Sequence, residues 1–378
     1  MSSIEKQYED LMKQCDFNLD RLEKEFPKAR VNIADELERR GVTRRDFLKW
    51  TSAMTATLML PPVFESRVAR AAENFNRLPV IWLHFAECTG CSESVLRTED
   101  PDILTFILDN ISLEYHETLM APSGYQAKKS MDDAIAAFDG QFVCVIEGAL
   151  PFGNDGTYLT VGADGKTGLE HAQEIAGRAA AVISLGSCAA FGGVQSAIPN
   201  PTDAKGIADA FAELGIDKPI VNIPGCPPLA VSFVGTVLYF ILFGKLPALD
   251  GEGRPEFAYG KTVHEFCERL PHFQAGEFAQ SWDDDNLKNS WCLFPLGCKG
   301  PSTHNLCSRV RFNQHANWPV GAGHPCVGCS ETDFWDNNSP LYNLPDAETQ
   351  SQKLERFKKT LIKLGVPLDS PTAKGLGL

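Results

Sequence analysis

The chain has 378 residues, 43% of them hydrophobic, which is enough to bury a sizeable core and to form two domains. Its net charge of −14 argues against a nucleic-acid-binding protein, which requires a basic surface. Twelve cysteines are too few for a disulfide scaffold in a chain of this length. Half of them cluster near the C-terminus, as metal ligands do: Cys267, Cys292, Cys298, Cys307, Cys326 and Cys329.

The N-terminal region has the order of an export signal. The arginine pair Arg44-Arg45 is followed by Phe-Leu-Lys, by an apolar run over 50–60 and by the small-residue segment 69–72. This is the sequence of a basic region, an apolar region and a cleavage site. The arginine pair with its following residues resembles the signal of the twin-arginine pathway, which exports folded proteins.

We therefore predict that residues 1–72 are a signal region outside the fold, cleaved near Ala72. Cleavage there removes Cys15, which we take to be non-functional. The alternative is a surface helix with a chance arginine pair. The long segment 1–42 before the arginines has no explanation in the sequence.

From residue 79 onward, apolar runs alternate with helical spacings, which predicts βαβ units and a mostly parallel sheet. Helices are indicated where apolar residues recur every three to four positions, around 131–138 and 207–214. The predicted α/β domain covers residues 73–245. Its predicted strands are Pro79–Phe85, Phe142–Glu147, Ala180–Leu185 and Pro219–Ile223.

Cysteines follow the ends of these strands, in loops bounded by Gly, Ser or Pro. Because ligands bind at the carboxyl ends of the strands in such sheets, four thiols at one edge predict a single metal cluster. The predicted ligands are Cys88, Cys91, Cys188 and Cys226. Cys144, by contrast, lies inside an apolar run and is interpreted as a core residue.

The apolar stretch Leu229–Phe243 is shorter than the ~20 residues that cross a membrane. It follows two prolines, which suit the first turn of a helix. We predict a buried helix on the sheet rather than a membrane span.

The segment 246–378 lacks the βαβ rhythm and is rich in proline, glycine and aromatic residues. Its thiols predict a second domain that depends on bound metal. Zinc and iron–sulfur clusters both suit Cys-x2-Cys pairs, and spacing alone does not separate them. The seven candidate ligands of this segment divide into four and three. A closed zinc site needs four ligands, whereas a three-iron cluster needs only three thiolates, so the number favours iron–sulfur clusters. His264, three residues before Cys267, is the preferred histidine ligand, and His324 is its rival.

These motifs resemble those of the small subunit of nickel–iron hydrogenases. The resemblance extends over 79–335 and the signal. It rests on Glu87-Cys-Thr-Gly-Cys-Ser-Glu-Ser94, Gly186-Ser-Cys188, Pro224-Gly-Cys-Pro-Pro228, His264-x2-Cys267, Leu296-Gly-Cys-Lys-Gly-Pro301 and Gly323-His-Pro-Cys-Val-Gly-Cys329.

The resemblance implies a flavodoxin-like domain followed by a smaller, irregular cluster domain, with two [4Fe–4S] clusters and one [3Fe–4S] cluster. A proximal [4Fe–4S] cluster is implied at the four strand-end cysteines, and a proline, here Pro319, takes the place of a fourth medial cysteine. The implied medial [3Fe–4S] ligands are Cys307, Cys326 and Cys329, and the implied distal [4Fe–4S] ligands are His264, Cys267, Cys292 and Cys298.

The family relays electrons between a nickel–iron site in a separate large subunit, where H2 is converted to protons and electrons, and an external carrier. For this chain the resemblance implies a heterodimer with that large subunit, no catalytic residue of its own, and a downstream cytochrome or membrane redox subunit. A periplasmic location is expected, with attachment to the membrane only through partners, because residues 330–378 contain no apolar run long enough to cross it. A neutral imidazole at the distal cluster makes its net charge less negative and favours the reduced form.

Oxygen-tolerant relatives carry two further cysteines beside the proximal cluster. The corresponding positions here are Gly90 and Gly193, so an ordinary four-iron cluster is expected. Two other functions are open to the sequence. The first half also resembles the cluster-bearing subunit of quinone reductases, which has no use for the ligands from His264 onward. The remaining alternative is a secreted, disulfide-bonded binding protein.

Overall fold

The computed structural model describes residues 3–25, 43–73, 78–97, 112–313, 315–338 and 350–378. The chain divides into two compact units, 1–258 and 259–378. The sequence predicts a division after residue 245, whereas the connecting residues up to Ala258 group with the first unit.

The first unit contains a five-stranded parallel sheet in the order β2-β1-β3-β4-β5. Four of these strands confirm the predicted parallel α/β fold to within a residue of their ends. The strands are β1 Pro79–His84, β2 Ser112–His116, β3 Val143–Glu147, β4 Ala181–Leu185 and β5 Ile220–Ile223.

Helices connect the strands and also precede them. Among the described residues, three lie in the N-terminal region: α1 Ser3–Glu25, α2 Arg44–Thr57 and α3 Glu65–Glu73. In the described part of the first unit, six more accompany the sheet: α4 Gly90–Leu96, α5 Gly124–Ala137, α6 Gly168–Glu174, α7 Ser187–Phe191, α8 Ile207–Leu214 and α9 Ala230–Phe243.

The core of the sheet is built from residues that the apolar runs identified. Ile81, Phe142 and Ile146 are fully buried there, as is Cys144, so that thiol lies where the sequence placed it. Helix α9 is buried as expected, with Phe233 lying 5.4 Å from the ring of Trp82 in β1.

The sequence predicts that residues 1–72 lie outside the fold. The described part of this region instead packs on the first unit: α1 and α3 both contact α9, and α2 contacts α3. That the region is removed from the mature protein stays a prediction.

The second unit is largely irregular, with short turns of helix between its thiols. Its helices are Leu270–Ala275, Cys307–Val310, Gln350–Lys363 and Pro371–Gly375, and the short helix Glu256–Tyr259 spans the division between the units. The C-terminal helices complete its apolar core, where Phe294 lies 5.1 Å from Phe357. No helix among the described residues is long and apolar enough to cross a membrane.

Candidate iron–sulfur sites

Four cysteines meet at the carboxyl edge of the sheet, and we call Cys88, Cys91, Cys188 and Cys226 the sheet-edge group. In the strand order 2-1-3-4-5 the topological switch point lies between β1 and β3. The cysteines of this group follow the carboxyl ends of β1, β4 and β5. Burial raises the pKa of the Cys91 thiol well above its ordinary value, and charge on Glu147 and on the other three cysteines raises it further. Burial and charge on Cys226 raise the pKa of Cys188 to about 11. Both shifts favour the neutral thiol at Cys91 and Cys188.

Glycines leave room beside these thiols. A Cβ on Gly186 would overlap the Sγ of Cys91, and one on Gly193 would lie 2.6 Å from the Sγ of Cys188. A Cβ on Gly90 would lie 3.1 Å from the Sγ of Cys88. Because only glycine keeps these places open, the backbone borders the thiols directly. Four thiols in such a setting fit an iron–sulfur cluster.

A buried carboxylate fixes the loop that carries two of the thiols. Glu147, at the end of β3, accepts hydrogen bonds from the amides of Cys91 (2.9 Å) and Ser92 (3.1 Å) and from the Ser92 hydroxyl (2.6 Å). These amides belong to the first turn of α4, which has no intrahelical acceptors for them. The sequence predicts Glu147 only as the end of a strand. The signal that could have singled it out is a carboxylate that closes a wholly apolar run.

Two buried histidines lie behind this carboxylate. The Nε2 of His116 is 3.2 Å from the Ser92 hydroxyl, and the ring of His84 is 4.6 Å from the ring of His116. Burial and the charge of His84 lower the pKa of His116 to about 3, so His116 is neutral at ordinary pH. Neither histidine was identified from the sequence, because isolated histidines in a strand carry no spacing signal.

In the second unit, His264, Cys267, Cys292 and Cys298 line one cavity, and we call them the histidine group. His324 is not among the residues that line it. The ring of His264 packs edge-on against Phe273 at 4.6 Å, and burial lowers its pKa, which favours the neutral imidazole that binds metals. Three thiols and an imidazole around one enclosed space fit a cluster with a histidine ligand.

The remaining cysteines, Cys307, Cys326 and Cys329, form the three-thiol group. Burial raises the pKa of Cys307 well above its ordinary value, and charge on Cys329 and Cys326 raises it further. The backbone amide of Cys326 donates to the Sγ of Cys298 at 3.3 Å, so this group adjoins the histidine group. The role given to Pro319 stays a prediction.

All twelve cysteines lie in the described part of the chain and are free thiols there. Among the described residues, no three or more His, Cys, Asp or Glu side chains are arranged to hold a single metal ion.

A parallel α/β unit with thiols at its sheet edge, followed by an irregular thiol-rich unit, is the arrangement of an iron–sulfur electron-transfer protein. The family model described as NADH ubiquinone oxidoreductase, 20 Kd subunit, matches residues 88–240. The model that describes the C-terminal part of the NiFe/NiFeSe hydrogenase small subunit matches residues 259–342.

Similar proteins cover nearly the whole chain. The quinone-reactive Ni/Fe-hydrogenase small chain of Wolinella succinogenes is 50% identical over 342 residues, which are 90% of this chain and 95% of the relative. The periplasmic [NiFe] hydrogenase small subunit 1 of Nitratidesulfovibrio vulgaris is 50% identical over 308 residues, 82% of this chain and 95% of the relative. A crystal structure of the Ni-Fe-Se hydrogenase from Desulfomicrobium baculatum, in a reduced, active form, superposes with a TM-score of 0.65 at 39% identity, covering 70% of this chain and 98% of that one.

The chain belongs to the family of nickel–iron hydrogenase small subunits. It is one subunit of a heterodimeric oxidoreductase whose other subunit is the hydrogenase large subunit, and its family relays electrons through iron–sulfur clusters. The sequence-based resemblance is confirmed. The match of the second unit and the matches across the whole chain decide against the quinone-reductase alternative.

Proposed function

We propose that the three ligand groups hold a chain of three clusters. The sheet-edge group would hold the proximal [4Fe–4S] cluster, the three-thiol group the medial [3Fe–4S] cluster and the histidine group the distal [4Fe–4S] cluster. When bound, the clusters accept and release single electrons. The observation that carries this proposal is the cavity shared by His264 and the three cysteines of the histidine group.

This chain's own residues set the conditions for the relay. Glu147 fixes the helix start that bears Cys91, and Gly186 and Gly193 keep space beside the thiols. The amides of Arg269 and Cys326 donate to the sulfurs of Cys267 and Cys298, at 3.4 and 3.3 Å. Such donors stabilise the more negative, reduced state and so raise a reduction potential.

The test is iron and sulfide analysis of the purified heterodimer together with paramagnetic resonance. We expect about eleven iron and about twelve sulfide ions in this chain, from clusters of four, three and four irons. Cys292→Ser should remove the distal signal and keep the proximal one. Cys144→Ala, at a buried thiol outside every ligand group, should keep all three. Stoichiometric zinc with little iron would contradict the proposal.

We further propose that the protein is exported through a twin-arginine signal, is processed near Ala72 and acts in the periplasm. The name of the Nitratidesulfovibrio relative as periplasmic supports the location. The name of the Wolinella relative as quinone-reactive supports a membrane redox subunit or cytochrome as the electron acceptor. Changing Arg44 and Arg45 to Lys should leave the precursor in the cytoplasm, and unchanged export would contradict this part.

A further inference from the structure

Helix α9 is apolar around its whole circumference, as helices are when they are covered on every side. One side packs on the sheet, where Phe233 meets Trp82. A helix that is apolar on all sides needs apolar cover away from the sheet as well.

The N-terminal helices provide that surface. The Phe64 ring, just before α3, lies 6.3 Å from Phe243 of α9, and Leu58 borders Gly235 at the middle of α9. Leu19 of α1 and Val68 of α3 are fully buried. Side chains of this kind stabilise a contact when they leave water, so this contact resembles part of a domain core.

Polar groups of α1 also satisfy the end of α9. Gln14 Nε2 donates to the carbonyl of Phe243 at 3.0 Å, and Asn18 Nδ2 donates to the carbonyl of Leu242 at 3.3 Å. The last carbonyls of a helix have no intrahelical donor, so α1 takes part in capping α9.

Ion pairs hold α3 in place on α1. Arg67 donates two hydrogen bonds to the Asp16 carboxylate, from Nε at 3.0 Å and from Nη2 at 2.7 Å. Arg70 binds Glu23 at 3.0 Å and Asp20 at 2.6 Å. Charges on α3 thus match an acidic face of α1 over two turns.

This arrangement divides the export signal into an accessible and an inaccessible part. Arg44 and Arg45 are exposed at the start of α2. Ala71 is fully buried and Ala72 is 5% exposed, both within helix α3. Proteases cut backbone that has opened, so a buried helical site is cut only as often as it unfolds locally.

We propose that α1, α2 and α3 form a cover on α9 that presents the arginine pair while it masks the chain's own cleavage site. Processing near Ala72 then follows release of α1 and α3 from α9. This assigns a role to the segment before the arginines, since α1 is the anchor of the cover. The inference rests on the export proposed above.

The test uses the purified full-length precursor. Amide hydrogen exchange of segment 65–73 is compared between the unchanged chain and Asp16→Arg, which breaks the pair with Arg67 and places two like charges together. Exchange should accelerate about fivefold or more, the effect of losing 1 kcal/mol of local stability. Asp10→Arg is the matched control: it makes the same charge change at an exposed carboxylate of α1, whose ion pair is with Lys13 of the same helix, and should leave exchange of segment 65–73 unchanged.

The double variant Asp16→Arg/Arg67→Asp should restore protection, because it rebuilds the pair with its charges exchanged. Leu19→Ala, which removes buried apolar contact without changing charge, should also accelerate exchange. Rapid exchange of segment 65–73 in the unchanged precursor would overturn the proposal.

A second arm measures hydrolysis of the same precursors by purified signal peptidase, whose rate should follow the exchange rate. Faster exchange without faster processing would overturn the masking role. Neither arm depends on transport. Protected exchange combined with normal export of the Arg44 and Arg45 lysine variant would contradict the export pathway and leave the cover intact.

Discussion

Gly193 lies directly against the proposed ligand Cys188: a Cβ at Gly193 would stand 2.6 Å from the Sγ and 2.7 Å from the Cα of that cysteine. The φ of Gly193 is +65°, a region that residues with side chains rarely adopt. The position therefore requires glycine for two reasons, backbone conformation and space beside the thiol.

We predict that Gly193→Ala displaces Cys188 and lowers the occupancy of the proximal cluster. The control is Gly165→Ala, whose φ is also +65° but whose Cβ would meet nothing within 4 Å. Both variants should lose about 1–2 kcal/mol of stability through backbone strain. Only Gly193→Ala should lose the proximal paramagnetic signal and the matching iron. Equal cluster content in the two variants would contradict this role.

Gln195 is predicted to raise the reduction potential of the proximal cluster. Its Nε2 donates to the carbonyl of Ala86 at 2.8 Å, and its side chain acts to lower the pKa of the Cys188 thiol. Gln195→Leu removes the donor, so the proximal potential should become more negative. Redox titration monitored by paramagnetic resonance measures this. The medial and distal potentials serve as internal controls, and an unchanged proximal potential with full cluster content would refute the prediction.

Oxygen should inactivate this hydrogenase. The additional cysteines of tolerant relatives would stand at Gly90 and Gly193, which offer no side chain, so the proximal cluster should cycle between two redox states. We expect the hydrogen-oxidation current to disappear when oxygen is admitted and to return slowly under reductant. Sustained turnover in air, or a third proximal redox state in the working range, would show this to be wrong.

The second unit should depend on its clusters for folding. Its thiols are spread through short turns, and metal binding to such sites supplies folding free energy. In protein prepared without iron, amide exchange should rise throughout 259–313 while strands β1, β3 and β4 remain protected. Equal protection of both regions in iron-free protein would contradict this expectation.

Acid should destabilise the first unit through His116. Its folded pKa is about 3, because of burial and the charge of His84, so the unfolded chain binds a proton below pH ~6.5 that the folded chain does not. The free energy of unfolding is therefore unaffected by His116 above pH ~6.5 and decreases as the pH falls from there toward 3. From pH 7 to pH 5 the loss is about 2 kcal/mol.

Urea unfolding at both pH values measures the effect. His116→Gln should flatten the dependence on pH, whereas His315→Gln, at an exposed histidine, should not. The same slope in both variants would exclude His116 as the cause.

Much of the sheet was predictable because its strands are continuous apolar runs that end in Gly, Ser or Pro. Strand β2 was missed because Ser112–His116 alternates polar and apolar residues and lies at the edge of the sheet. The positions of Cys188 and Cys226 followed from topology, since parallel strands end at one edge.

Other features depend on contacts between distant residues and leave no local pattern. The hydrogen bonds from Cys91 and Ser92 to Glu147 join positions more than fifty residues apart. Packing of α1 on α9 joins positions more than two hundred apart. The order of basic, apolar and small-residue segments indicated a signal in the N-terminal region. The packing of α1 and α3 on α9 is visible only in the three-dimensional structure.

Cys326 serves two of the proposed clusters at once, through its thiol in the three-thiol group and its backbone amide at Cys298. A shift of this residue moves a ligand of one cluster and a hydrogen-bond donor of the other together. We therefore expect the two sites to mature together. Insertion of either cluster should order part of the other's binding site, so a chain that lacks one should be a poor acceptor for the second.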